Sequence, residues 1–257
     1  MTKSFYKVIG VMSGTSLDGL DVAYCEFRKN GKEWSYKIRI AETIKYDGKW
    51  KKKLISAFSK SRTEISKLDI EYGIFIGKKI SSFTKKFKLK IDFVSSHGHT
   101  IFHQPEKQFT LQIGSGRAIS SACRLTVIND FRTRDVKLGG QGAPLVPIGD
   151  KLLFSKYDFC LNLGGFANVS FDEKQKRVAF DICPVNIVMN DLAKLMGKEF
   201  DDKGEISSRG KVNTTLFNKL NALPYYSQKH PKSLGKEWVD FFFIPVLNSF
   251  DISIEDK

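Results

Sequence analysis

The sequence predicts an α/β protein made of two related lobes, each of which turns a β-hairpin towards a cleft. Apolar runs of strand length alternate with apolar stripes of helical spacing along the 257 residues. Two segments join a pair of strands through glycine in the same manner, residues 9–14 in the first half and residues 161–168 in the second. Because the strand–glycine–strand pattern occurs twice, we expect a duplicated fold.

Residues 1–131 form the predicted first lobe. An apolar stripe that begins at Ile65 and reaches Phe87 in steps of three and four predicts one long helix packed against a sheet. Shorter helices are expected over residues 50–59 and near residues 117–123. Strands are expected at residues 5–12, 20–27, within 34–46, and at 91–95, 109–113 and 126–129.

Residues 132–156 are predicted to form an active-site loop and the crossing between the lobes, because glycine and proline crowd this stretch. Residues 157–257 form the predicted second lobe. It has strands at residues 157–163, 167–171 and 177–181, a helix that Pro184 opens and Gly197 closes, and a helix at residues 212–220. Ser253 and Asp256 have the spacing of a helix cap. We therefore expect a helix to begin there, and the second lobe to be incomplete.

The composition excludes several classes of protein. No apolar run reaches the roughly 18–20 residues of a membrane span, and the N-terminus has no signal-peptide pattern. The four cysteines lie far apart without C-x-x-C spacing, which argues against a disulfide scaffold and fits a reduced cytoplasm. The net charge of +14 could indicate a nucleic-acid-binding protein, but the lysines are spread along the chain, so we attribute the charge to a lysine-rich surface. We expect no nucleic-acid or membrane partner, while an anionic small substrate such as a nucleotide is compatible with this charge.

The segment from Met12 to Asp21, M-S-G-T-S-L-D-G-L-D, has the residue types that phosphate binding needs. Gly14, Thr15 and Ser16 offer backbone N–H groups and hydroxyls without bulky side chains. Asp18 and Asp21 could hold a hydrated Mg²⁺, since that ion prefers oxygen ligands and keeps its waters. The alternative is an ordinary tight turn. The segment is not a Walker A loop, because G-x-x-x-x-G-K-[ST] is absent.

Two further groups of polar residues are candidates for chemistry. His97, His99 and His103 could belong to a zinc site, or they could be structural or substrate-facing side chains at the end of a strand. Asp181 follows a predicted strand, where it could act as a general base or simply cap the next helix. Asp130, Arg132 and Asp135 add polar groups beside the glycine-rich stretch.

These motifs together resemble one family. G-V-M-S-G-T-S-L-D-G-L-D, S-H-G-H-T-I-F-H-Q-P, D-F-R-T-R-D-V-K-L-G-G-Q-G-A-P-L-V-P and N-L-G-G-F-A-N occur in this order across essentially the whole chain. The combination is similar to the anhydro-N-acetylmuramic acid kinases of the sugar kinase/Hsp70/actin superfamily. The resemblance implies two ribonuclease-H-like lobes (the actin-like ATPase fold) around a nucleotide cleft. It also implies ATP- and Mg²⁺-dependent conversion of 1,6-anhydro-N-acetylmuramic acid into N-acetylmuramic acid 6-phosphate, in cytoplasmic peptidoglycan recycling.

The resemblance also implies roles for particular residues. Asp181 matches the catalytic aspartate, which activates water while the released sugar O6 takes the γ-phosphate. The sugar-side residues are His97, Asp130, Arg132 and Asp135. The residues that match the two phosphate-binding loops are Gly14, Thr15, Ser16, Leu17, Asp18, Gly19, Leu20 and Asp21 in the first loop, and Asn162, Gly164, Gly165 and Asn168 in the second.

The chain departs from the family pattern in three ways. Ile182, Cys183 and Val185 interrupt the usual D-T-G-P-G-N, and His99 stands where the family commonly has Gln, which is not a zinc ligand. The later adenosine motif and a later sugar-contacting Glu have no counterpart. The alternative to an active kinase is therefore a truncated, inactive fragment that binds sugar or muropeptide without turnover. The expected partners are the small sugar and the nucleotide, and a homodimer is compatible with the resemblance.

Overall fold

The computed structural model describes residues 3–14, 17, 19–174 and 176–257. The chain separates into two compact units, Met1–Leu145 and Val146–Lys257. Both units combine β-sheet with α-helix, so the predicted α/β class is confirmed. Within the described ranges, no helix is both long enough and apolar enough to span a bilayer.

The first unit is built on a six-stranded mixed sheet. Its strands are β1 (Phe5–Ser13), β2 (Gly19–Asn30), β3 (Glu33–Lys45), β4 (Phe93–Gln104), β5 (Phe109–Ile113) and β6 (Val127–Asn129). The strand order is β3-β2-β1-β4-β5, and β6 pairs with β4. The β1–β4 and β4–β6 pairs are parallel, and the β1–β2 hairpin is antiparallel as the glycine pattern predicts. Helices are α1 (Gly48–Ile55), α2 (Arg62–Lys86), α3 (Gly116–Cys123) and α4 (Thr133–Lys137), with 3₁₀ turns at Ser56–Ser59 and Pro105–Lys107.

The long helix α2 follows the apolar stripe that the sequence displays. It begins with a reciprocal cap, in which the Ser61 side chain accepts from the Glu64 N–H and the Glu64 carboxylate accepts from the Ser61 N–H. Tyr72, Ile76 and Ile80 on its inner face are fully buried against the sheet. Helix α2 therefore forms the main wall of the first core.

Helix α3 packs on α2 at two glycines one turn apart, Gly73 and Gly77. A Cβ added at Gly77 would lie 2.6 Å from the Ala122 Cβ and 2.7 Å from the Ile119 carbonyl oxygen. A Cβ at Gly73 would lie 2.7 Å from the Ser115 carbonyl oxygen. The two helix backbones thus approach more closely than any side chain at these positions would allow.

The second unit contains a three-stranded antiparallel sheet in the order β7-β8-β9. Its strands are β7 (Phe159–Leu163), β8 (Phe166–Glu173) and β9 (Lys176–Pro184), and its helices are α5 (Val146–Leu153), α6 (Asn186–Leu195), α7 (Thr214–Asn221), α8 (Lys236–Trp238) and α9 (Ile244–Asn248). Short 3₁₀ turns occupy Asp202–Gly204 and Ser207–Arg209, and a π turn, Val239–Phe243, joins α8 to α9. Val188, Leu216, Val239 and Leu247 form the centre of a separate apolar core.

Three sequence-based boundaries change in the structure. Strand β4 continues past Ser95 to Gln104, so the histidines lie within a strand instead of at its end. Strand β9 continues past Asp181 to Pro184, and the next helix begins at Asn186, so Pro184 does not open it and Asp181 does not cap it. Longer pairing explains both differences: β4 continues beside β5, and β9 continues beside β8 as far as Phe166.

Two irregular segments also differ from the sequence-based expectation. Part of the stretch at residues 132–156 is helical, because α4 and α5 lie within it on either side of the glycines. At Ser253 the predicted cap forms, since its hydroxyl accepts from the Asp256 N–H at 3.1 Å. The residues that follow make a single turn instead of a helix.

Candidate active site

A groove of about 590 Å³ opens on the face of the first sheet that is turned away from α2. Gly10, Ala23 and Ala41 form part of its floor, and their small side chains leave the strands uncovered. Asp21 and His97, both predicted site residues, lie in its wall. The groove therefore brings together residues from two separate motifs.

The first predicted phosphate loop begins immediately after Ser13, the last residue of β1. Leu17 has a left-handed backbone conformation, with φ of 58°, whereas Thr15, Ser16 and Asp18 lie outside the described residues. Gly19, Leu20 and Asp21 already belong to β2, and the Leu20 side chain is fully buried in the core. The described part of this segment is thus a strand–turn–strand corner.

Asp21 is the member of the predicted metal pair that can be described. Its carboxylate is exposed, and its Oδ1 accepts a hydrogen bond of 2.6 Å from the Thr43 hydroxyl. An oxygen donor of this kind fits a hydrated Mg²⁺. Among the described residues, no group of three or more His, Cys, Asp or Glu side chains could hold a metal ion directly.

A buried chain of hydroxyl groups anchors Ser13, and sequence analysis did not find it. Tyr46 donates to the Ser13 Oγ at 2.8 Å, and the Tyr46 and Tyr72 hydroxyls are 2.6 Å apart. The Ser13 Oγ lies 2.9 Å from the His99 Nδ1. Because Tyr46 uses its proton on Ser13, Tyr72 must donate to Tyr46, whereas the hydrogen bond between Ser13 and His99 can run in either direction. In both cases the His99 Nδ1 is the partner of the Ser13 hydroxyl.

His99 is expected to be replaceable by a residue that keeps a hydrogen bond to Ser13. The His99→Gln amide can accept from or donate to the Ser13 hydroxyl, whereas His99→Leu removes one hydrogen bond of that buried hydroxyl and should cost about 1–3 kcal/mol of unfolding free energy. Urea denaturation of both variants measures the difference. Equal losses in both variants would contradict the importance of the bond between Ser13 and His99.

The same exchange should change the pH dependence of stability. Burial lowers the pKa of His99, so the folded state takes up a proton less readily than the unfolded chain. Stability should then fall as pH drops below about 6.5, the ordinary value for histidine in an unfolded chain. In His99→Gln this acid loss should shrink, although His97, whose pKa is also lowered by burial, still contributes. Melting temperatures at neutral and mildly acidic pH test the effect.

His97 and the polar residues beside the glycine-rich stretch form a second connected group. The Arg132 guanidinium donates to the His97 Nε2, with contacts of 2.8 and 3.1 Å, and its Nη1 donates to the Gly142 carbonyl oxygen at 2.7 Å. The Asp135 carboxylate accepts from the Gly142 N–H at 2.6 Å. Gly142, with φ of 64°, is therefore held from both sides.

These contacts refine the predicted sugar-side assignments. Asp135 orients the backbone of the glycine stretch, and a Cβ on Gly140 would collide with its carboxylate. Asp130 has φ of 59°, and its Oδ1 accepts from the Thr133 N–H at 3.3 Å. The zinc alternative is disfavoured for His97 because both its ring nitrogens have protein partners, the Gly98 carbonyl oxygen at Nδ1 and Arg132 at Nε2.

In the second unit, three predicted site residues lie in one row across the sheet. Asn162 on β7 pairs with Asn168 on β8, and Asn168 pairs with Asp181 on β9. Paired residues on neighbouring strands present their side chains on the same face. The sheet therefore collects two amides and one carboxylate that are distant in sequence.

Beside this row, the turn between β7 and β8 exposes its backbone. A Cβ added at Gly164 would come no closer than 3.6 Å to its nearest neighbour, and one at Gly165 no closer than 3.9 Å. Asn186, at the start of α6, donates from Nδ2 to the Gly164 carbonyl oxygen at 2.9 Å. Asn186 was not among the predicted site residues, although its survival in the altered D-I-C-P-V-N segment was a signal that could have identified it.

Asp181 lies in a half-buried position with a fixed carboxylate. Its Oδ2 accepts from the Leu234 N–H at 2.8 Å, and its backbone carbonyl accepts from the Tyr225 hydroxyl at 2.6 Å. Burial raises the pKa of Asp181, and the hydrogen bond from Leu234 partly opposes that rise. A carboxylate with a raised pKa is a stronger base than an ordinary aspartate.

The family profile and the related proteins that match this chain have the same description. A profile described as anhydro-N-acetylmuramic acid kinase matches residues 6–251. Relatives of that name include one from Mannheimia succiniciproducens, 35% identical over 250 residues, one from Francisella tularensis subsp. novicida, 36% over 249, and one from Pseudomonas fluorescens, 37% over 242. These alignments cover 92%, 89% and 89% of this chain, which spans about 65% of the length of each relative. The chain belongs to the anhydro-N-acetylmuramic acid kinase family.

Proposed function

We propose that this chain carries the phosphate-binding and catalytic parts of an ATP-dependent kinase for 1,6-anhydro-N-acetylmuramic acid. The reaction opens the anhydro bridge hydrolytically and yields N-acetylmuramic acid 6-phosphate, in cytoplasmic recycling of peptidoglycan. The row of Asn162, Asn168 and Asp181 beside the Gly164–Gly165 turn is the observation that supports this proposal best. The row places the Asp181 carboxylate, whose pKa is raised by burial, beside an uncovered backbone turn. Such a reaction requires a base and a phosphate-binding turn.

Asp181 acts as the general base in this proposal. The Leu234 N–H holds Oδ2, which leaves Oδ1 to remove a proton from the attacking water. The water oxygen bonds to the anomeric carbon, the bond from that carbon to O6 breaks, and O6 keeps the bonding electron pair. The freed O6 then bonds to the γ-phosphorus of ATP, the bond from that phosphorus to its bridging oxygen breaks, and ADP leaves with the bonding electron pair.

ATP supplies the transferred phosphoryl group, and its phosphates suit the uncovered turn at Gly164 and Gly165. Asn186 keeps that turn in shape through the Gly164 carbonyl. In the first unit, the Asp21 carboxylate would hold a hydrated Mg²⁺, because Thr43 bonds to only one of its two oxygens.

Residues around the groove of the first unit serve the sugar. Arg132 is half-buried, and burial lowers its pKa without removing its charge. Its contacts with His97 and Gly142 fix its guanidinium, so it can donate to a sugar hydroxyl or carboxylate without a large loss of side-chain entropy. His97 lines the groove itself.

The proposal is tested by incubating the 257-residue chain with labelled ATP, Mg²⁺ and 1,6-anhydro-N-acetylmuramic acid and detecting the 6-phosphate product. Calorimetric titration with the sugar and with a nucleotide runs in parallel. Turnover supports the kinase. Sugar binding without turnover favours the inactive-fragment alternative, and the absence of binding to either ligand contradicts the proposal.

Removal of the Asn186 amide should weaken nucleotide binding. Asn186→Ala loses the bond to Gly164, and a hydrogen bond worth about 0.5–1.5 kcal/mol corresponds to a rise of roughly 2–12-fold in Kd. Asn221→Ala is the matched control, because it removes a similar 2.8 Å bond from an amide to the Phe217 carbonyl in α7. Calorimetry measures both variants, and an equal loss in both would remove any special role for Asn186.

A further inference from the structure

The net positive charge of the protein comes from its first unit. Residues 1–145 contain 27 Lys and Arg against 13 Asp and Glu, whereas residues 146–257 contain 15 of each. These numbers account for all 42 basic and 28 acidic residues of the chain. Both units are rich in lysine, with 20 in residues 1–145 and 13 in residues 146–257, so the first unit differs mainly in having fewer acidic residues to balance its lysines.

Much of this charge is concentrated on two neighbouring helices and their connections. Residues 47–90 contain 13 basic residues and 4 acidic ones, a net charge of +9. Each of the four acids has a local partner: Asp47 caps α1, Glu64 caps α2, Asp69 accepts from the Gly114 N–H, and Glu71 pairs with Lys53. They hold the structure together and leave most of the lysines uncompensated.

Helices α1 and α2 pack side by side. The Trp50 and Phe75 rings lie 4.7 Å apart, and the ion pair between Lys53 and Glu71 joins the helices at the surface. On α2, Lys67, Lys78 and Lys85 are exposed and recur at helical spacing on one side. Lys51 and Lys52 are exposed on α1. We call the outward-facing residues within 49–58 and 67–85 the α1–α2 face.

Large apolar side chains stand exposed among these lysines. Ile55 and Phe58 are 54% and 65% exposed, and Ile70 and Ile74 are 53% and 40% exposed. On α2, Ile70 and Ile74 lie between Lys67 and Lys78 on the same side of the helix. Lysines around exposed aliphatic and aromatic side chains are typical of helices that rest on a lipid surface.

The residue types favour lipid headgroups over nucleic acid. Base recognition relies on arginine forks and stacked aromatics, but the exposed basic residues of this face on α1 and α2 are lysines beside isoleucines. Lys85 and Lys86 in the last turn of α2, and Lys52 in the last turn of α1, also stabilise the helix dipoles. That role does not extend to Lys51, Lys67 or Lys78.

We propose that the α1–α2 face is a docking surface for the anionic headgroups of a lipid membrane. The lysines attract the negative surface, and Ile55, Phe58, Ile70 and Ile74 enter the boundary between headgroups and acyl chains. Contact of this kind is peripheral and needs no membrane-spanning helix. It departs from the expectation that the protein has no membrane partner, because an apolar run long enough to span a bilayer is not required for it. It is independent of the kinase proposal.

Flotation of the 257-residue chain with vesicles tests this proposal. We expect binding to vesicles that combine phosphatidylcholine with phosphatidylglycerol, and none to phosphatidylcholine alone. Binding should weaken as salt rises from about 50 to 200 mM, because surface charges are then screened. Each lysine near an anionic leaflet contributes about fivefold in affinity. A variant with Lys51→Gln, Lys52→Gln, Lys78→Gln and Lys85→Gln should therefore bind about 100-fold more weakly or worse.

A matched variant of the second unit separates the α1–α2 face from charge in general. Lys198→Gln, Lys203→Gln, Lys211→Gln and Lys229→Gln change the net charge equally at exposed positions and should leave vesicle binding unchanged. Phe58→Ser with Ile74→Ser should reduce binding while all lysines remain. Equal loss in the two lysine variants would overturn the proposal, as would the absence of vesicle binding at low salt. Tight binding to duplex DNA or RNA instead of vesicles would assign the face to nucleic acid.

Discussion

Replacing Asp181 by asparagine is expected to lower the rate of phosphate transfer by about 10²–10⁴-fold, the usual effect of losing a general base. Asparagine has the same shape, and its side-chain oxygen can still accept from the Leu234 N–H. The change therefore removes the basic oxygen and little else. Nucleotide affinity, measured by calorimetry, should stay within a few-fold of the unmodified protein.

The same substitution should leave the stability of the folded protein unchanged or raise it. Burial raises the pKa of Asp181, so in the folded protein the ionised form is disfavoured relative to the unfolded chain. The folded state then binds more protons between the two pKa values, and this contribution to stability is lost as pH rises through that window. Asp181→Asn removes the ionised form, and the melting temperature at neutral pH should be unchanged or higher.

Two measurements decide whether Asp181 is the base. Asp158→Asn, at an exposed position just before β7, serves as the control and should keep full activity. In the unmodified protein, the rate should rise with pH through an acid limb above the ordinary aspartate value of about 3.9. If Asp181→Asn turned over within a few-fold of the unmodified protein, the base would have to be another residue.

Gly77→Ala is expected to destabilise the first unit by about 1–3 kcal/mol, the cost of overpacking a close contact. The added methyl group would meet the Ile119 backbone oxygen at 2.7 Å and the Ala122 Cβ at 2.6 Å. Backbone atoms cannot rotate out of the way, so α3 would have to move away from α2. This loss should exceed the helix-propensity gain of replacing glycine by alanine, which is about 0.5–1 kcal/mol.

The same substitution at Gly48 provides the control. Gly48 opens α1, and no atom lies within 4 Å of a Cβ added there. Gly48→Ala should leave the free energy of unfolding unchanged or raise it slightly. Denaturant unfolding of both variants measures the contrast, and a stabilising Gly77→Ala would show that the two helices can separate without cost.

The sequence predicts local structure well where apolar spacing is regular. The stripe from Ile65 to Phe87 predicts α2, and the runs around Gly10 and Ala23 predict the β1–β2 hairpin. The lengths of β4 and β9 could not be predicted, because polar residues and glycine at 96–100 in β4, and Asp181 in β9, interrupt the apolar runs. Pairing with β5 and β8 supplies the hydrogen bonds that keep those residues in strands.

The candidate site was predictable in composition and not in arrangement. Asn162 and Asn168 belong to one sequence motif and Asp181 to another. Only the register of the three strands aligns these residues in one row. The bond between His97 and Arg132 joins residues 35 positions apart. Tyr46 and Tyr72 read as ordinary core residues, because spacing alone does not reveal a hydrogen bond between two buried hydroxyl groups.

The buried hydroxyl chain limits which substitutions can be accepted at three positions of this sequence. Position 99 must supply one hydrogen-bond partner to Ser13, and both His and Gln can do so, which makes the two interchangeable there by neutral substitution. Positions 46 and 72 are coupled differently, because loss of either hydroxyl removes the 2.6 Å hydrogen bond that the two share in the core. Across homologous sequences, we expect tyrosine at 46 and 72 to be retained or lost together, and exchange at 99 to show no such covariation.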